Sequence, residues 1–110
     1  MDLFKKIRCA IKEAEQTISD EKQRIEKARA RTEVTRKLKE MSDDFLEIDT
    51  TREKAEEFLA NYASYLRTWG DTVQSAESTI QKEERRIRKL KELQKYLDEN
   101  NFNDIWLTYP

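Results

Sequence analysis

The stretch AEEFLANYASYLRTWGDTVQSAESTIQKEERRIRKLKELQKYL, from Ala55 to Leu97, decides the fold. In it Ala55, Leu59, Tyr62, Leu66, Trp69, Val73, Ala76, Ile80, Ile87, Leu90 and Leu97 repeat at alternating steps of four and three, with only Glu83 and Gln94 interrupting. An α-helix turns once every 3.6 residues, so this spacing gathers the apolar side chains into one stripe. Charged residues crowd the positions between them, as a coiled-coil seam requires.

Upstream, Phe4, Ile7, Ile11, Ala14, Ile18, Ile25 and Ala28 obey the same rule with Glu21 as the break. Val34, Leu38, Met41, Phe45 and Ile48 resume the stripe one residue out of phase. Thr50-Thr51-Arg52-Glu53 fits a capping box, in which a Thr hydroxyl and a Glu carboxylate satisfy free N–H groups at a helix start. The expected fold is therefore all-α. It is a long antiparallel two-helix coiled-coil hairpin forming one domain over residues 1–110. Helix one is expected at about 2–47, the turn at about 48–51, helix two at about 51–99, and an aromatic tail at 100–110. Ser42-Asp43-Asp44 is a competing N-cap, and Gly70, placed opposite Ala28 by folding at residue 49, is expected to mark a close approach or mild kink.

Composition supports that reading. Charged residues reach 41% against 36% hydrophobic, a balance found in disordered chains, but the apolar residues here are periodic and the chain has one Gly and one Pro. So few turn formers also exclude a β fold. The net charge of −1 gives no global field toward nucleic acid or anionic membranes. The single Cys9 cannot close an internal disulfide and suits a reducing compartment. The opening residues lack the apolar run of a signal peptide, and no stretch nears the ~20 apolar residues that span a bilayer. A cytoplasmic protein without membrane association is expected.

Catalytic chemistry finds no support: there is no His and no Gly-rich phosphate loop. Adjacent carboxylates such as Glu56/Glu57 and Glu83/Glu84 diverge around a helix. No catalytic residue, cofactor or metal ligand is assigned, and the chain is expected not to be an enzyme.

Charge is distributed in blocks. Residues 22–39 are basic, residues 40–57 are acidic, and Arg85, Arg86, Arg88, Lys89 and Lys91 form a second basic block. A hairpin would thus have a basic shaft and an acidic tip. Two binding readings follow. Protein contacts are expected from Asp43, Asp44 and Glu47 at the tip, Phe58 and Tyr65 on an aromatic row with Tyr62 and Trp69, and Phe102, Trp106 and Tyr109 in the tail. That row makes the apolar face of helix two wider than one partner helix covers, so a second copy pairing into a four-helix bundle is the simplest expectation. A protein partner, most simply a homodimer, would make this an adaptor, chaperone or inhibitor. The alternative is a nucleic-acid-associated regulator using Arg29, Arg31, Arg85, Arg86 and Arg88.

Overall fold

Asp2 starts the first helix. Its carboxylate Oδ1 accepts a hydrogen bond of 3.0 Å from the Phe4 N–H, and its carbonyl accepts the first helical bond from Lys6 N at 3.1 Å. From there α1 runs Leu3–Glu40, with Lys37 and Lys39 in its last turn where the helix dipole favours cations. The second helix, α2, runs Arg52–Glu99 with Glu53 in its first turn. At its end Asn100 donates from both backbone N and side-chain Nδ2 to the Tyr96 carbonyl, at 3.2 and 2.8 Å. These helices are seen in a computed structural model that describes residues 2–41 and 52–100. They pack against each other as an all-α helical hairpin, and no strand occurs among the described residues. The expected turn at 48–51, the break at Ser42 and the aromatic tail lie outside the described residues.

The chain divides into two compact units, one from Met1–Lys22 with Ser78–Pro110, the other Gln23–Glu77. In the first, Ile7, Ile11 and Leu97 are buried together, with Leu3, Phe4, Ile87 and Leu90 packed against them. Early residues of α1 thus meet late residues of α2, as antiparallel packing demands. Ala14 is buried on the same stripe. The three interruptions read from sequence, Glu21, Glu83 and Gln94, are half-buried and keep their places in the seam. Glu83 has only 16% of its side chain exposed. Its Oε2 is buried without a hydrogen bond, and Arg86 Nη1 stands 3.6 Å from it.

In the second unit Ile25, Ala28, Thr35 and Ala76 are buried, while Leu59, Tyr62, Leu66, Trp69 and Val73 are half-buried. Three cross-helix contacts fix the antiparallel order: Arg29 with Glu77, Arg31 with Trp69, and Lys39 with Tyr62.

One expectation is corrected here. The seam of α1 does not shift phase to Val34, Leu38 and Met41. It continues in its first phase through Thr32 and Thr35, and Thr35 is only 8% exposed whereas Val34 is 59% exposed. Each Thr hydroxyl donates back to a carbonyl of its own helix, Thr32 to Ala28 at 2.9 Å and Thr35 to Arg31 at 2.7 Å. With its polar group satisfied locally, each threonine offers the seam a β-branched hydrocarbon surface.

A second correction concerns Gly70. It is exposed, α2 continues through it, and a Cβ placed there would meet nothing within 4 Å. No close approach requires the glycine, and the alanine of α2 buried in this unit among the described residues is Ala76, at 0% exposure.

Two stability changes are expected. Gly70→Ala should raise the unfolding free energy by about 1 kcal/mol, the helix-propensity difference; a urea midpoint that stays put or falls would contradict an unstrained helical site. Glu83→Leu should stabilise the chain by about 1–2 kcal/mol, since it removes a buried oxygen without a hydrogen bond from a mostly apolar stripe. Thermal unfolding checks this, with light scattering run alongside because seam polar residues can also fix register and association state.

Candidate functional site

Residues seven apart on an α-helix differ in direction by only ~20°, so a surface can be followed heptad by heptad. In the unit Gln23–Glu77 a shallow groove of about 220 Å³ is lined by Arg24, Lys27, Ala28 and Arg31 from α1 and by Trp69 and Thr72 from α2. It opens on one side of the seam. One heptad beyond Lys27 and Arg31 on that side stand Val34 and Leu38, and one beyond Val34 stands Met41. One and two heptads before Thr72 stand Tyr65 and Phe58. The groove therefore runs into a strip of apolar and aromatic side chains, of which Val34, Met41 and Tyr65 are exposed and Leu38 and Phe58 half-buried.

The aromatic residues are organised by contact. Phe58 stacks on Tyr65 with ring centroids 5.8 Å apart and planes at 28°, and meets Tyr62 edge-on at 6.1 Å and 62°. The row read from sequence thus splits. Tyr62 and Trp69 point into the seam and are roofed by cations, Lys39 Nζ lying 4.4 Å from the Tyr62 ring and the Arg31 guanidinium 5.0 Å from the Trp69 ring. Phe58 and Tyr65 lie beside the seam, in contact with each other.

Electrostatically this side is one-signed. Its registers on α1 and α2 within the unit carry Arg24, Lys27, Arg31 and Lys54, and the remaining positions are apolar or uncharged, such as Asn61 and Thr68. None of the unit's described carboxylates falls there. Glu26, Glu33 and Glu40 repeat at sevens on the outer face of α1, and Glu77 pairs with Arg29 at 3.6 Å across the opposite side of the seam. Glu53, Glu56, Glu57 and Asp71 occupy other faces of α2.

The arginines of the nucleic-acid reading are dispersed. Arg29 and Arg31, two residues apart, face opposite sides of their unit, the first toward Glu77 and the second over Trp69. In the other unit Arg86 approaches Glu83 at 3.6 Å, and Arg85 and Arg88 line a shallow groove with Gln81 and Glu84. The tip residues Asp43, Asp44 and Glu47 and the tail residues Phe102, Trp106 and Tyr109 lie outside the described residues.

The structure adds what sequence reasoning missed. Val34 and Met41 belong to the exposed side and not to the seam; the four-then-three step from Ala28 to Thr32 and Thr35 carried that signal in side chains counted as polar. Leu93 and Tyr96 are exposed in the other unit, three residues apart on α2. Cys9 is exposed. Among the described residues no group of three or more His, Cys, Asp or Glu is placed to hold a metal ion, and no helix is long and apolar enough to cross a membrane. Comparison with protein-family models, curated proteins and solved structures finds no match for the chain.

The Arg31–Trp69 contact is testable by a double-mutant cycle. Arg31→Ala and Trp69→Leu should show a coupling of about 0.5–1 kcal/mol in urea unfolding, the range for a partly exposed cation over an aromatic ring. Strict additivity would mean that the guanidinium contributes nothing through the ring.

Proposed function

We propose that this chain is a non-enzymatic protein-interaction module, of the adaptor, chaperone or inhibitor type, that docks a partner along one side of its helical hairpin. The observation carrying this reading is the strip of Val34, Leu38, Met41, Phe58 and Tyr65, which lies beside the seam of a single unit and which the two helices leave partly uncovered. Scattered apolar residues on a surface are ordinary; a contiguous strip bordered by charge is the form that binding surfaces take. The stacked Phe58–Tyr65 pair adds rigid aromatic area that costs little entropy to immobilise. The exposed lone thiol Cys9 suits a reducing compartment, which makes the cytoplasm the proposed setting.

A nucleic-acid-associated regulator is the second reading, favoured by one observation, the cation–aromatic pair of Arg31 and Trp69. Aliphatic neighbours weigh against it. Val34, Leu38 and Met41 offer no stacking surface to a base, and Arg29 and Arg86 already face carboxylates.

A photo-crosslinking amino acid placed at Tyr65, and separately at Gln74 on another face of α2, distinguishes these readings in the native cell. A discrete adduct from position 65 alone, resistant to nuclease and removed by protease, is the expected result. Nuclease-sensitive adducts, or equal labelling from both positions, would overturn the protein-docking reading.

A further inference from the structure

The geometry points to a specific kind of partner: an acidic amphipathic helix that lies in the groove between α1 and α2 and completes a local three-helix bundle. This rests on the docking side proposed above and names its occupant.

Shape is the first argument. Two packed helices leave a furrow on each side of their seam, and the natural filler of a furrow between helices is a third helix at 8–10 Å from both axes. Here the side runs from Arg24 on α1 to Met41 just past its end, about 26 Å at 1.5 Å per residue, or roughly five helical turns. Its apolar residues fall at 34, 38 and 41 on one helix and 58 and 65 on the other. Such rows receive a partner's residues at spacings of three, four and seven.

Charge is the second argument, and it selects among occupants. The side carries Lys27, Arg31 and Lys54 and no carboxylate among the unit's described residues. A second copy docking through this same side would bring only more cations, so its described residues supply no ion pair. A helix with Glu or Asp toward the Lys27–Arg31 end and Leu or Met toward the Val34–Met41 end satisfies both parts of the surface. Arg31 is suited to a partner carboxylate because its guanidinium is already held over the Trp69 ring.

The test uses the full chain and two synthetic helical peptides of about 18 residues, alike in their Leu/Met stripe. One carries Glu along the flank at one end; the other carries Lys at the same positions. Fluorescence anisotropy of the labelled peptides should show the acidic one binding about tenfold more tightly at low salt, a preference that narrows as salt rises. The double variant Lys27→Glu/Arg31→Glu should invert the order, while Arg67→Glu on another face of α2 should leave it unchanged; circular dichroism checks that each variant keeps its helix content. Equal binding of both peptides, unaffected by the double variant but abolished by Val34→Glu, would overturn the acidic partner and leave the docking side standing. If neither peptide binds and the chain forms a dimer that Tyr65→Glu dissociates, the occupant is a second copy and the inference fails. Binding of single-stranded oligonucleotides in place of both peptides would sink the inference and the reading beneath it together.

Discussion

Two helices packed side by side can hide one stripe on each and nothing more. That limit governs this molecule. No large side chain is completely buried among the described residues; complete or near-complete burial falls to Ala14, Ala28 and Ala76, with Ile7, Ile11, Ile25 and Leu97 close behind. Small residues let the helix axes approach, and larger ones such as Leu66, Trp69 and Val73 are left half-covered at the rim of the contact. Any apolar residue outside the stripe is then at the surface by geometry, whatever its hydrophobicity.

Because the seam is thin, its defects matter more than they would in a thick core. Glu83 occupies a seam position with one oxygen out of reach of water and of any hydrogen bond, and Arg86 stands too far away to supply one. The surface ion pairs do little to offset this, since Arg29–Glu77, Arg36–Glu33 and Lys95–Glu99 are solvent-exposed at 3.6 to 3.9 Å. Local backbone bonding helps in another way. Thr32 and Thr35 close their hydroxyls onto their own helix and so enter the stripe at little cost.

How much of this was legible in the sequence depended on what carried each signal. The α2 stripe from Leu59 to Leu97 was legible position by position, Glu83 and Gln94 included, because apolar identity and helical period agree along it. The α1 stripe was legible to Ala28 and then misread. Two threonines act there as seam residues, and the aliphatics beside them, Val34 and Met41, advertise a phase they do not occupy. The close approach expected at Gly70 was misread for a related reason: a residue type with a special use elsewhere stands in an open helical position. Charge blocks read along the chain mislead more strongly. Arg29 and Arg31 are two residues apart in sequence yet face opposite sides of their unit, and no linear count reveals that one side carries no carboxylate among the unit's described residues. Of the candidate site, Phe58 and Tyr65 were legible as a pair, while their joining to Val34, Leu38, Met41 and the Lys27–Arg31 groove required the packing.

The arrangement between Ala28 and Met41 bears on the docking side proposed above. If stability of the two-helix hairpin were the only demand, the aliphatic side chains would occupy 32 and 35 and the threonines 34 and 38, since burial of a Val or Leu stabilises more than burial of a Thr. The chain does the reverse: it gives the seam threonines and sets valine, leucine and methionine beside it, where Leu38 is covered only in part and Val34 and Met41 are exposed. The neighbouring positions follow the same logic. Glutamates repeat at 26, 33 and 40 on the outer face, where solubility calls for charge, and between Arg24 and Met41 none falls in the registers of Lys27 and Arg31; one and two heptads before Lys27 that register carries Asp20 and Glu13. Aliphatics beside the seam and a lack of acids on the same side between Arg24 and Met41 are separate features of the sequence. Both make sense if a third, acidic helix supplies what the two helices leave out.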